Sequence, residues 1–112
     1  MKNKSYFSSA IVTFPSEIDY KMWAEKIAIF NSDKAKEFLV QSGQLSFSCV
    51  RITDENIIRV MILWEYRDEE AFKKCQKLWS KWGDIANNFT SKIVFNRGKN
   101  FMDGKKYIYQ KI

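Results

Sequence analysis

The spacing of hydrophobic positions along this chain switches from every second residue to every third or fourth and back again. FSSAIVTF, Phe7 to Phe14, alternates as a strand, with Phe7, Ile11 and Thr13 on one side and Ala10, Val12 and Phe14 on the other, and Pro15 stops it. Ser16 or Asp19 is placed to cap a helix in which Tyr20, Trp23, Ala24, Ile27 and Phe30 form one apolar face. Asn31 and Ser32 interrupt it. A second helical piece follows, with Ser32 as N-cap, Ala35, Phe38 and Leu39 inward, and Gly43 where a left-handed cap belongs. The two pieces read either as separate helices or as one bent helix.

Leu45 to Ile52 alternates again, Leu45, Phe47 and Cys49 against Ser46 and Ser48, with a bulge or twist expected where Val50 and Ile52 break the pattern. After a turn at Asp54, Glu55 and Asn56, the partner strand of a hairpin runs from Ile57 to Tyr66. It sets Ile58, Val60, Ile62, Trp64 and Tyr66 on one face and Ile57, Met61 and Leu63 on the other, so both faces are apolar. Asp68 can cap a third helix whose inner face is Ala71, Phe72, Cys75, Leu78, Trp79 and Trp82, with Gly83 expected to weaken or end it. Ile93 to Phe95 reads as a further strand, and Lys106 to Gln110 as a short edge strand.

Strand, helix, hairpin, helix, strand is the order of a split βαββαβ sheet, so the expected fold is α+β and ferredoxin-like, an antiparallel sheet with two helices on one face. Two helices cover one face only. The doubly apolar strand therefore calls for a cover on the other face, and a second copy of the chain related by a two-fold axis supplies it, giving a homodimer.

Composition narrows the classes. At 112 residues, 46% hydrophobic and 16% aromatic, residues 1–112 are expected to be a single domain with a substantial core, ending in a basic C-terminal segment, 97–112. No apolar run is long enough to span a bilayer and the first residues do not read as a secretory signal, so the expected location is cytoplasmic with no membrane partner. Cys49 and Cys75 are too few and too isolated for a disulfide framework or a metal site. The net charge of +6 concentrates in Lys92 to Ile112, where six basic residues meet one acidic residue. A basic segment containing Phe101, Tyr107 and Tyr109 fits nucleic acid or, more commonly, a solvated edge. The strand Ile57 to Tyr66 lacks the glycine of an RNA-recognition motif, which argues against nucleic acid as partner.

The junction EYRDEEAF resembles the strand-to-helix signature of antibiotic biosynthesis monooxygenase-like domains in the dimeric α+β barrel superfamily, carried by Glu65, Tyr66, Asp68, Glu70, Ala71 and Phe72. The resemblance implies a dimeric barrel with a pocket between helices and sheet in each subunit, often for an aromatic or polycyclic ligand. Its activities range from cofactor-independent oxygenation to haem degradation. The haem-degrading branch is disfavoured, because Cys75 stands where its tryptophan is expected and the chain has no histidine.

Trp64 and Tyr66 share a strand face and are the best candidates to line such a pocket; Trp23, Trp79 and Trp82 either join them or pack the core. Ser46, Ser48 and Arg59 are polar where apolar residues bury most easily, so they either orient a ligand or mark a solvated edge, with an ion pair from Arg59 to Glu65 or Asp54 as a further alternative. The substrate-binding candidates are thus Trp64, Tyr66, Trp23, Trp79, Ser48 and Arg59. Without histidine, neither a zinc site nor a His-based acid–base system can be assembled, and no cofactor is implied. Three functions follow: binding of an apolar or aromatic metabolite with cofactor-independent monooxygenation as its enzymatic form, a non-enzymatic interaction or stress-response module, and a nucleic-acid-binding module.

Overall fold

The computed structural model describes residues 5–53 and 56–101. The expected edge strand Lys106 to Gln110 and the turn residues Asp54 and Glu55 lie outside them. Strand β1 (Tyr6–Phe14) leads through α1 (Glu17–Ile27), a 3-10 turn (Ala28–Asn31) and α2 (Asp33–Gln41) into the hairpin β2 (Gln44–Arg51) and β3 (Ile58–Tyr66). Helix α3 (Glu69–Asn87) and β4 (Lys92–Lys99) complete an antiparallel sheet of order β2-β3-β1-β4. This is the ferredoxin-like α+β plan.

The helices begin where small polar residues can receive their free N–H groups. Ser16 Oγ accepts from the Asp19 N–H at 3.2 Å, Ser32 Oγ from Ala35 at 3.3 Å, and the Asp68 carboxylate from Ala71 at 2.8 Å. The Ala71 N–H bond, aided by Arg67, holds the Asp68 carboxyl below its ordinary value. Asp68→Ala should lower the melting temperature at neutral pH by on the order of 5 °C. A carboxyl depressed in the folded state stabilises above its unfolded value and stops doing so as pH falls through its folded one, so the difference between wild type and variant should disappear in strong acid. Thermal melts across that range check both statements.

Five expectations change. The two helical pieces are separate, joined by the 3-10 turn that buries Phe30, so three helices rather than two cover the sheet. Phe38 is exposed, because short α2 lies at the margin of the sheet and buries only Leu39. Helix α3 runs through Gly83 to Asn87, since buried Ala86 carries the apolar face past the glycine, outweighing its cost of about 1 kcal/mol. The β2 bulge lies between Gln44 and Ser46 rather than near Val50. There the Gln44 amide turns inward and donates to the carbonyls of Ser46 (2.7 Å) and Glu65 (3.2 Å), which leaves Leu45 57% exposed. Strand β4 also runs longer at both ends than Ile93 to Phe95.

Even-numbered positions of β1 and β3, from Ala10, Val12 and Phe14 to Val60, Ile62, Trp64 and Tyr66, face the helices and form the core with Trp23, Cys75, Trp79 and Trp82. The opposite sheet face carries an apolar row in register across all four strands: Val50, Met61, Ile11 and Val94. Leu63 lies one row further on, and no described element covers this face. Met61 and Leu63 are each 41% exposed and Val50 47%.

Candidate functional site

Between α3 and the sheet lies a cavity of about 130 Å³. Its floor is one cross-strand row, Trp64 on β3, Ser8 on β1 and Arg97 on β4, in register. The hollow forms because the middle of that row is a serine. Overhead, α3 presents Gln76, Ser80 and Gly83, a stripe of small or polar residues at helical spacing beside its aromatic face. A Cβ added at Gly83 would meet nothing within 4 Å. Trp82 and Phe95, with ring centroids 6.3 Å apart, and Tyr66 supply further apolar lining.

Trp79 is held as a rigid partition. Its ring stacks on Phe47 at 4.9 Å and on Phe30 at 5.1 Å, and its indole N–H donates to Gln44 Oε1 at 2.9 Å. Beyond it a second hollow of about 210 Å³, lined by Phe30, Leu39 and Phe47 among others, opens beside edge strand β2. The Trp79 donor is satisfied, whereas the indole nitrogens of Trp64 and Trp82 are sealed from solvent and find no hydrogen-bond partner among the described residues. A buried donor left unmade costs about 1–3 kcal/mol, so each of these needs an explanation.

Burial holds the Tyr66 phenol protonated well above its usual range; the Cys75 thiol adds to the shift, while Arg97 and a hydrogen bond with Gln76 oppose it. Burial likewise pushes the Cys75 thiol up to about 11, so at neutral pH it is a small apolar group rather than a nucleophile. Arg97 stands with its guanidinium carbon 5.1 Å from the ring centres of both Phe72 and Phe95. No carboxylate lines this cavity among the described residues, and no described group of three or more His, Cys, Asp or Glu could hold a metal.

Of the six candidates from the sequence, Trp64, Tyr66 and Trp79 come together here. Trp23 does not line the cavity; it is buried among Phe14, Tyr20 and Trp82 and packs the core. Ser48 and Arg59 lie on the opposite sheet face, in register with Leu63 and Thr13. Missed were Ser8, Gln76, Ser80, Phe95 and Arg97. Ser8 shares the parity of Ala10 and Val12, and Gln76, Ser80 and Gly83 recur at four- and three-residue spacing, so both signals were present in the sequence.

A family model described as a domain of unknown function, DUF6974, matches residues 3–99. The chain belongs to the DUF6974 family. Among curated proteins, none matches it. Solved structures share the DUF6974 fold at low identity. A dimeric ferredoxin-like protein from an uncultured marine organism superposes with a TM-score of 0.79 at 20% identity, over 89% of this chain and 90% of that one. SnoaB, a cofactor-independent oxygenase from Streptomyces nogalater, gives 0.63 at 11% identity over 90% and 96%. A Nitrosomonas europaea protein provisionally named an antibiotic biosynthesis monooxygenase gives 0.70 at 10% identity over 90% and 94%. These likenesses establish the fold, and the resemblance carried by EYRDEEAF is met at that level. No described helix is long and apolar enough to cross a membrane.

Proposed function

We propose that this DUF6974 protein is a homodimeric barrel that binds a small aromatic metabolite between α3 and the sheet of each subunit. The observation that carries the ligand is the aromatic-walled cavity between α3 and the sheet, with Ser8 at its floor and Gly83 at its roof. The apolar row Val50, Met61, Ile11 and Val94 supports the dimer, since sheet faces of this kind are normally covered, and a similar fold is described as dimeric.

Oxygenation of the bound molecule is the enzymatic form of this reading, supported by the likeness to SnoaB. The lining constrains it. With Tyr66 and Cys75 held protonated and no carboxylate or imidazole among the lining residues, no side chain is placed to take a proton. A substrate oxygenated here would have to be acidic enough to ionise by itself. Six of the described lining residues, Ser8, Trp64, Tyr66, Trp79, Trp82 and Arg97, carry the binding roles in this proposal.

A thermal-shift screen of one-ring aromatics tests it. A ligand at a hundred times its Kd stabilises by about 2.7 kcal/mol, which is several degrees in a domain of this size. Ser8→Leu should fill the floor and Gly83→Leu the roof, and both should weaken binding while the proteins still melt cooperatively. No shift with any one-ring aromatic, or full binding retained in both variants, would sink the proposal. Oxygen-electrode traces on the binders then separate an oxygenase from a binding protein.

A further inference from the structure

We propose that the molecule bound between α3 and the sheet is an aromatic acid, its ring inside the cavity and its carboxylate received at the opening by Arg97. The inference deepens the binding role proposed above and rests on it. Size limits the ring. A dry cavity of about 150 Å³ holds one benzene ring, and this one, at about 130 Å³, is of that order. Toward β2 the ring meets Trp79, which stacks on Phe30 and Phe47 and is bonded to Gln44. On the other side the sheet ends at edge strand β4, with no further described strand, so a substituent on the ring emerges there.

Charge selects the substituent. Ser8, Tyr66, Gln76 and Ser80 each bring both a donor and an acceptor to the lining and favour neither sign of charge. Among the described lining residues Arg97 alone carries a formal charge. Its guanidinium carbon stands 5.1 Å from the ring centres of Phe72, on α3, and Phe95, on β4, and so bridges helix and edge strand at the opening. Those rings are themselves held, Phe72 against Tyr6 at 5.1 Å and Tyr66 at 5.4 Å, Phe95 against Trp82 at 6.3 Å. Ring contacts engage the faces of a guanidinium and leave its N–H edge for an anion. No ion pair joins Arg97 to a described carboxylate, in contrast to Arg51, which Glu17 holds, and Arg67, which Asp68 holds. Strand β4 supplies none either, carrying Lys92, Arg97 and Lys99 and no acidic residue. Register joins ring and charge. Arg97 pairs with Ser8, and neighbouring strands lie about 4.8 Å apart, so a ring seated over Ser8 ends about one strand spacing from the backbone of Arg97. A carboxylate on that edge of the ring meets a planar fork of matching geometry.

Benzoate and benzamide have nearly the same shape and size and differ in charge. Each is titrated into 15N-labelled protein while the backbone amide resonances of Ser8 and Gly83, at floor and roof, are followed. Both compounds should move those resonances, and benzoate should bind at least about fivefold more tightly, a preference that shrinks at high salt. Arg97→Gln should abolish the preference and leave benzamide binding unchanged, whereas Lys92→Gln, which removes a charge from the far end of the same strand, should keep it. Arg97 is exposed on an edge strand, so its variant retains the core. Equal affinity for the two compounds, or a preference that Lys92→Gln lowers as much as Arg97→Gln does, overturns the carboxylate inference and leaves the aromatic site standing. Failure of both compounds to move either resonance overturns the site together with it.

Discussion

Gly43→Val should leave little folded protein, lowering stability by about 2–5 kcal/mol. Gly43 ends the turn after α2 with φ at 101°, a left-handed conformation that costs an ordinary L-residue about 1–2 kcal/mol. A Cβ there would also stand 2.5 Å from the Ala71 Cβ, and Ala71, fully buried in the first turn of α3, has no room to retreat. Overpacking of this kind adds about 1–3 kcal/mol. The nearby Arg67 guanidinium, 3.3 Å from the same point, is a flexible end and can move aside. The glycine carbonyl accepts from the Arg67 N–H at 2.9 Å, so a shift of this turn also disturbs the exit of β3. Set against the roughly 5–15 kcal/mol that hold a typical domain together, the loss is large. Urea titrations of wild type, Gly43→Ala and Gly43→Val should give midpoints falling in that order. An alanine variant with an unchanged midpoint would show that the turn is not constrained as described.

Leu63→Arg should convert a dimer into folded monomers. Leu63 projects from the uncovered face, next to the row Val50, Met61, Ile11 and Val94, and away from the core beneath the helices. If a second copy covers that face, two-fold symmetry places two unpaired guanidinium groups in a buried apolar contact, at several kcal/mol each. The dimer should weaken by at least about a thousandfold. The monomer keeps its core, so its circular dichroism should be unchanged. Light scattering on a size-exclusion column reads the outcome directly. A wild-type protein that is already monomeric, or a variant that stays dimeric, contradicts the covered-face reading.

The element order was legible because the residues that start and stop the elements act locally. Ser16, Ser32 and Asp68 cap helices, Pro15 closes β1 and Gly43 takes the left-handed turn as the spacing indicated. The β2 bulge was hidden, because it depends on the Gln44 side chain reaching Trp79, 35 residues away in sequence. Continuation of α3 through Gly83 was hidden for a related reason: the packing of Ala86 outweighs a local preference.

At the site, Trp64 and Tyr66 were recoverable from strand parity alone. The same parity already separated Arg59 from them, since Arg59 alternates with Met61 and Leu63, and Ser48 likewise falls with Ser46 and Val50. Treating polar residues within strands as one class obscured that division. Arg97 was unreachable in a different way. Its place beside Trp64 depends on the register of β4 against β1, which pairs it with Ser8 across 89 positions of sequence, and no local pattern encodes that offset.

The claim that joins these observations is that the space between α3 and the sheet is a ligand site. The most direct measurement is a crystal structure of the protein grown with the one-ring aromatic that shifts its melting temperature most. The account predicts one planar ring above Ser8 and beneath Gly83, against the Trp64 and Trp82 side chains. Density for the ring confined to the second hollow beside Phe30 and Phe47, or a cavity that stays empty at saturating ligand, would contradict it.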